Sequence, residues 1–163
     1  VKRLEVIMAN CITGTCIEKS MIFGGSIAKM GLILQGWITY DEDENIRLSG
    51  KRGLTGETIS ELIMEYFNYE YIDYGCLGKK ITVIPNVHLQ CWFSDEQCTL
   101  EEAQMNFKSY MLTGELITHV YYIGYSEWTI TGFIMSDLKI GEHDLVQELK
   151  DHEGQYIHFI LTG

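Results

Sequence analysis

Thiols and imidazoles are the side chains of this 163-residue chain that could act as nucleophiles, bases or metal ligands, and it holds five of each. Cys98 stands directly before a predicted helix, where the helix dipole favours a thiolate. His119 lies on a predicted strand, while Glu148 and His152 are four residues apart on a predicted helix, as an acid–base or ligand pair can be. No motif joins any of them to a second catalytic group. We therefore name no catalytic residue, although a small enzyme using these side chains stays an alternative.

Two cysteine spacings, Cys11-x4-Cys16 and Cys91-x6-Cys98, raise the question of structural zinc. Zinc sites usually use gaps of about two to four residues, so the second spacing is too long. Cys91 also alternates with apolar residues of a predicted strand, which is typical of a core thiol. We expect no zinc site and no cofactor.

The segment Asp41, Asp43, Asn45 matches the opening of a calcium-binding loop, in which carboxylates alternate around the ion. The pattern then fails, because Ile46 replaces the required glycine and Arg52 replaces the bidentate glutamate. We interpret this segment as the acidic tip of a hairpin.

A basic, glycine-rich loop lies between a predicted strand and a predicted helix. Its candidate anion-binding residues are Lys51, Arg52, Gly53, Thr55 and Gly56. Free N–H groups at a helix start and two cations favour a phosphate, but the glycine spacing of a P-loop is missing. The loop is either a solvated turn or the contact for a small phosphorylated ligand such as a nucleotide.

Aromatic residues concentrate around one predicted hairpin, and acidic residues follow on the last helix. Together they give the candidate partner-binding residues Tyr121, Tyr125, Glu127, Trp128, Asp144 and Glu148. Exposed tyrosine and tryptophan are typical of protein-binding hot spots, although core packing is the more ordinary explanation of strand aromatics.

The charges are unevenly distributed along the chain, whose formal net charge is −11. Residues 90–163 contain twelve acidic residues and three lysines, a balance of −9, whereas residues 1–89 contain eleven acidic and nine basic residues, a balance of −2. A field of one sign repels nucleic acid and attracts basic proteins. We therefore expect a basic protein partner and no nucleic-acid ligand.

Apolar patterning predicts an α+β fold in a single domain, 1–163, with a β-rich N-terminal part (1–53) and a mixed α/β part (54–163). Strands are expected at 4–9, 32–40, 46–49, 80–93, 116–125, 127–135 and 156–161. The segment 11–30 fits helix or strand equally, and Pro85 should bend its strand. Consecutive strands at 116–125 and 127–135 predict a tight hairpin.

Helices are expected at 56–68, between Thr99 and Gly114, and at 143–151. Thr55 is the expected N-cap of the first helix, Thr99 and Glu102 form a capping box for the second, and Gly154 ends the third. The resulting order, β-rich–α–β–α–β–β–α–β, predicts about three helices on a mostly antiparallel sheet. A faint similarity between 48–57 and 135–142 is too short to establish a repeat.

Cysteine spacing also bears on the compartment. Five irregularly spaced cysteines do not resemble a disulfide framework, and no signal peptide is recognisable near residue 1. Glycine and polar residues interrupt the apolar segment 21–38, so we expect no membrane span. These features predict reduced thiols in the cytoplasm.

Taken together, the sequence favours a non-enzymatic acidic binding or inhibitory protein that acts on a basic protein partner. By analogy of size and charge, it fits an inhibitor or immunity protein of phage or plasmid type. A protein that binds or sequesters a small phosphorylated ligand is the alternative, and a small enzyme is the second alternative. Self-association into a homo-oligomer stays open.

Overall fold

A computed structural model describes the backbone of residues 3–12, 15–24, 27–74, 77–124 and 131–163, and the side chains of 31–73, 78–122 and 135–163. Three helices pack on one sheet in which every described strand pair is antiparallel, which confirms the predicted α+β class. In the part of the chain so described, no helix is long and apolar enough to cross a membrane.

The described strands are β1 Arg3–Ile12, β2 Thr15–Gly24, β3 Ile27–Tyr40, β4 Ile46–Ser49, β5 Glu57–Thr58, β6 Glu70–Tyr74, β7 Leu77–Ser94, β8 Tyr110–Gly124, β9 Thr131–Ile140, β10 His143–Asp144 and β11 Tyr156–Thr162. The helices are α1 Ile59–Phe67, α2 Leu100–Asn106 and α3 Leu145–Glu148, and a 3-10 turn, Leu149–His152, continues α3. Residues 11–30, which fit helix or strand equally from the sequence, are therefore extended wherever they are described.

The sheet order is β1-β2-β3-β11-β7-β8-β9-β10, with β4 beside β3, β5 beside β4, and β6 beside β7. Strand β11 lies in the middle, so Phe159 pairs with Leu34 on one side and with Cys91 on the other. A central strand is covered on both faces, which explains why β11 reads as a nearly continuous apolar run. The register of β7 with β8 shifts between Ile84 and Val87, so the strand pairing is irregular at Pro85, where the sequence predicts a bend.

One face of the sheet, which we call the main face, carries the large hydrophobic core under α1 and α3. The core joins Leu62 of α1 and Leu145 of α3 to strand residues such as Phe159. The opposite face, which we call the second face, carries a smaller cluster under α2. Its buried members are Ile33, Trp92, Ala103 and Ile160.

Helix α1 begins later than its sequence pattern predicts. Its N-cap is Thr58, whose hydroxyl accepts from the Glu61 N–H, and not Thr55. The reason is strand β5: a side chain at Gly56 would collide with the Leu48 carbonyl, and Glu57 then pairs with Leu48. The chain thus returns to β4 before the helix starts.

The second and third helices are shorter than predicted. Thr99 caps α2 as expected, but the helix ends at Asn106, and Tyr110 and Met111 belong to β8 rather than to the helix. Asp144 caps α3, which tightens into the 3-10 turn after four residues. Gly154, with a positive φ of 87°, follows that turn and confirms the predicted stop.

The faint sequence similarity has a structural counterpart. In both segments a strand turns into a two-residue antiparallel strand that leads directly to a capped helix, as β4–β5–α1 and as β9–β10–α3. The two units also touch, because the Ser60 hydroxyl donates to the Asp137 carbonyl at 3.3 Å.

The sheet curls around the main-face core. The Ser136 N–H of β9 donates to Asn45 Oδ1 in the β3–β4 turn at 2.7 Å. In a flat sheet the four strand spacings from β3 to β9 would separate these strands by about 19 Å. The buried Asn45 side chain therefore closes the curled sheet.

Candidate functional site

Carboxylates from both halves of the sequence converge at one end of the molecule. We call it the acidic end and define it as residues 41–44, in the β3–β4 turn, and residues 142–153, which include α3. Lys150 Nζ lies 3.2 Å from Glu44 Oε1, so the two segments touch. Together they contain nine carboxylates and one lysine. The acidic residues of the second half of the sequence thus share one surface with an acidic turn from the first half.

Tyr40 lies at the junction of these segments. Its hydroxyl donates to the Val146 carbonyl at 2.7 Å. Burial raises the pKa of Tyr40, and the nearby carboxylates of Glu153, Asp144 and Asp151 raise it further, because each opposes a phenolate charge. The negative field of the acidic end therefore acts on a group inside the fold.

Asp41 has a structural role in this turn. Its Oδ1 accepts from the N–H groups of Asp43 and Asn45, and its Oδ2 accepts from Arg47 Nε at 2.7 Å. Partial burial works in the opposite direction, but the hydrogen bonds from Arg47 and Asn45 outweigh it and lower the pKa of Asp41. The alternating pattern that resembled a calcium loop here builds the turn.

Two candidate partner-binding residues, Asp144 and Glu148, lie within the acidic end. Asp144 Oδ1 accepts from the Val146 N–H and caps α3. Glu148 accepts from the Tyr110 hydroxyl at 3.0 Å and lies 2.7 Å from His143 Nδ1. Both carboxylates therefore serve the fold.

Tyr121 is far from the acidic end. Lys79 Nζ lies 6.0 Å from its ring centre and the His119 ring lies 5.7 Å away, on the face opposite the main core. Tyr110, which contacts Glu148, is eleven residues back along β8, a separation of roughly 35 Å at strand rise. The structure thus does not bring Tyr121 together with Glu148. The remaining candidates Tyr125, Glu127 and Trp128 lie outside the described residues.

The basic loop is a turn that leads back to β4. Leu54 N–H donates to the Lys51 carbonyl at 3.2 Å, and Gly53 has a positive φ of 81°. Thr55 and Gly56 then lead into β5, so the predicted helix start at Thr55 is wrong. The loop keeps its two cations but loses the helix dipole that had favoured a phosphate.

Arg52, in this loop, packs on an aromatic ring. Its guanidinium carbon lies 4.6 Å from the Trp37 ring centre, and its Nη2 donates to the Asp95 carbonyl at 3.1 Å. The loop is thereby attached to the segment that carries Cys98.

Cys98 lines an open cleft of about 700 Å³ on the second face. Beside it lie Ile33, Gln35, Gln97, Thr99, Leu100, Glu102 and Tyr156. The Cys98 side chain is half-buried, and its Sγ lies 3.6 Å from Ser94 Oγ. A free thiol therefore faces a cavity with amide and hydroxyl groups in its wall.

His158 lies fully buried behind this thiol. Its Nε2 is 2.9 Å from the Cys98 carbonyl oxygen and 3.8 Å from Cys98 Sγ. Since only a protonated nitrogen can donate to a carbonyl, Nε2 carries the proton and offers the thiol no lone pair. Burial lowers the pKa of His158, against the opposing effect of this hydrogen bond, so the ring is neutral near pH 7. His158 holds the backbone of Cys98 and is not its base.

The other candidates for an enzyme lie apart from this cleft. His119 Nδ1 is 2.8 Å from Asp137 Oδ1 on β8 and β9. His152 Nδ1 pairs with Gln155 Oε1 at 2.7 Å, while its predicted partner Glu148 contacts other residues. Cys98, His119 and Glu148 therefore occupy three separate places.

The structure separates Cys91 from Cys98, one of the two cysteine pairs considered for a zinc site. Cys91 is buried in the main-face core, whereas Cys98 packs on the second face. The side chains of Cys11 and Cys16, and the whole of Cys76, lie outside the described residues. Within the described side chains, no group of three potential ligands is placed to hold a metal ion.

Sequence reasoning missed the pairing of Cys98 with His158. A signal was present, because a histidine at the centre of the apolar strand β11 must be buried and so needs a hydrogen-bond partner. The identity of that partner, 60 residues away, has no local signature.

Comparison of the chain with known protein families, curated proteins and solved structures finds no match. The function must therefore be argued from the two regions just described, the acidic end and the Cys98 cleft.

Proposed function

We propose that this protein is a non-enzymatic binding protein whose acidic end attaches to a basic surface of a partner protein. The observation that carries this proposal is the convergence of residues 41–44 with residues 142–153. Asp41, Asp144 and Glu148 are hydrogen-bonded within the fold, so six of the nine carboxylates remain to set the field outside it.

The arrangement suits electrostatic recognition. Glu42, Asp43, Glu142 and Glu153 are exposed, and each stands on a turn or beside a short helix that the core holds in place. A concentrated field of one sign speeds association with a partner of opposite sign and rejects polyanions. Blocking a basic site on an enzyme or toxin is a function that such a surface could perform without any catalytic group, as an inhibitor or immunity protein of phage or plasmid type does.

The test is a charge-matched pair of variants. In the first, Glu42→Gln, Asp43→Asn, Glu142→Gln and Glu153→Gln neutralise the acidic end. In the control, Glu65→Gln, Glu70→Gln, Asp73→Asn and Glu101→Gln remove the same charge from exposed positions elsewhere. Neither set includes Asp41, Asp144 or Glu148, which support the fold.

A lysine-rich peptide serves as the probe, and its affinity is measured by titration at increasing salt. The acidic-end variant should bind at least tenfold more weakly than the control variant and should lose most of the salt dependence. Equal weakening in both variants would show that net charge alone acts, and the proposed surface would be abandoned. If only the acidic-end variant is weakened, pull-downs from the native host with the same pair of variants identify the basic partner.

A second candidate function, binding of a small phosphorylated ligand, is favoured by the position of Arg52. Its guanidinium lies on Trp37, which contacts Tyr156 at the wall of the Cys98 cleft. A ligand at this rim would meet the Arg52 guanidinium, which also lies 3.9 Å from the Glu96 carboxylate. Lys51→Ala with Arg52→Ala should abolish binding of inorganic phosphate or a nucleotide, and unchanged binding would end this candidate.

We also propose that the protein works in the cytoplasm as a reduced chain. Cys91 and Cys98 are free thiols on opposite faces of the sheet, which fits a reducing compartment. Trapping thiols with an alkylating reagent during cell lysis should label Cys98 in the native chain.

A further inference from the structure

The Cys98 cleft supports an inference that is independent of the acidic end. The cleft volume, about 700 Å³, falls in the range of about 300–1,000 Å³ that small-molecule sites occupy. Gln35 and Gln97 place amide groups in its wall, which complement the amides of a peptide-like molecule, and Glu102 places a carboxylate there. The Thr99 hydroxyl is already bonded to Glu102. The partly buried Leu100 adds apolar contact area.

The thiol is held at this cleft by the fold beneath it. The buried His158 ring donates to the Cys98 carbonyl, and the Ser94 hydroxyl donates to the Glu96 carbonyl at 2.6 Å. These two hydrogen bonds fix the segment 94–98 to the end of β7 and to β11. Cys98 therefore keeps its place at the cleft wall and does not move with a free loop.

His158 also limits the chemistry. Because its Nε2 proton is donated to a carbonyl, it cannot accept the thiol proton, so the geometry does not support repeated turnover at Cys98. A single exchange step needs no resident base, since solvent can accept the proton.

We propose that Cys98 is a thiol–disulfide exchange site whose cleft accepts one half of a small peptide-like disulfide. The Cys98 thiolate attacks one sulfur of the disulfide, a new S–S bond forms, and the old S–S bond breaks. The other half leaves as a thiolate and takes up the proton that Cys98 released. The disulfide is the oxidant, and both electrons of the broken bond leave with the departing sulfur.

The chain contains its own control thiol. Cys91 lies fully buried on the main face, and burial raises the pKa of its thiol well above the ordinary value. It should therefore be inert toward the same reagent while the chain is folded.

The experiment treats the full folded chain with oxidised glutathione and locates the adducts by peptide mapping with mass spectrometry. Modification at Cys98 should exceed modification at Cys91 at least tenfold, and the difference should vanish in urea. If Cys98 stays unmodified while the unfolded chain reacts, or if both thiols react equally when folded, the proposal is overturned.

A second pair of variants tests whether the cleft, and not solvent exposure of the thiol alone, determines the reactivity of Cys98. Gln97→Trp places a large ring at the cleft, and Gln147→Trp places the same ring at an exposed position on α3. Gln97→Trp should slow the reaction with oxidised glutathione at least fivefold but change the reaction with methyl methanethiosulfonate, a much smaller reagent, less than twofold. Gln147→Trp should react with both reagents as the native chain does. Equal rates with glutathione in both variants would show that the cleft does not hold the adduct.

Discussion

The two faces of the sheet differ in how completely they are covered. Among the described side chains, twenty buried residues form the main-face cluster under α1 and α3, whereas four form the second-face cluster under α2. The main face supplies most of the stability because it removes most of the apolar surface from water. The second face leaves room for an open cleft, a free thiol and a buried histidine. Stability and candidate chemistry are thus placed on opposite sides of the same strands.

Adjacent residues of β11 give the sharpest test of this difference. Leu161 is fully buried on the main face, and Ile160, of the same size, is buried on the second face. We expect Leu161→Ala to lower the free energy of unfolding by about 4 kcal/mol and Ile160→Ala by about 2 kcal/mol, because the larger cluster cannot collapse around the cavity. Urea unfolding measures both. Equal losses would mean that the second face is packed as firmly as the main face.

Much of the fold follows from local sequence, and the exceptions have a common cause. The Thr99 capping box, the strand at 46–49 and the glycine stop after the last helix depend on neighbours in the chain, so the sequence predicts them. Apolar spacing, by contrast, continues from α2 into Tyr110 and Met111. Pairing of these residues with Cys91 and Gln90 of β7 makes them a strand. A distant partner therefore overrides a local helical pattern.

The candidate site shows the same limit. The sequence shows the number of acidic residues, but their convergence depends on the contact of the β3–β4 turn with the 3-10 turn that continues α3. The loop at residues 51–56 had the composition of an anion site, yet strand β5 separates it from the helix start. Its two-residue pairing with β4 is too short to have a sequence signature.

The helix caps provide a smaller test of the two faces. Thr58 is buried and caps α1 on the main face, while Thr99 is exposed and caps α2 on the second face. We expect Thr58→Ala to cost about 2 kcal/mol and Thr99→Ala about 0.5 kcal/mol, since water can replace the lost bond only at the exposed cap. Thermal unfolding of both variants checks the order. A larger loss for Thr99→Ala would contradict it.

The smallest expected effect is a pH dependence specific to the second face. Burial lowers the pKa of His158 below its ordinary value of 6.5, so the unfolded chain binds a proton that the folded chain rejects. The contribution of His158 to the free energy of unfolding is fully present above pH 6.5 and is lost as the pH falls through the lowered pKa. The slope is at most about 1.4 kcal/mol per pH unit.

The control for this pH dependence is His158→Leu, which removes the titrating ring. Chemical unfolding between pH 7 and pH 5 should show a steeper loss in the native chain than in the variant. Identical slopes would assign the acid sensitivity to groups other than His158.

The central place of β11 has a kinetic consequence. Among the described strands, β1 to β5 and β6 to β10 form two halves whose strand pairing is continuous only through β11. During synthesis the ribosome must therefore deliver residues 156–162 before the halves can be linked, and until then the facing edges of β3 and β7 are unpaired. Exposed strand edges promote aggregation, and pairings across long sequence distances form slowly. A nascent chain stalled before residue 156 should accordingly be the species most dependent on chaperones.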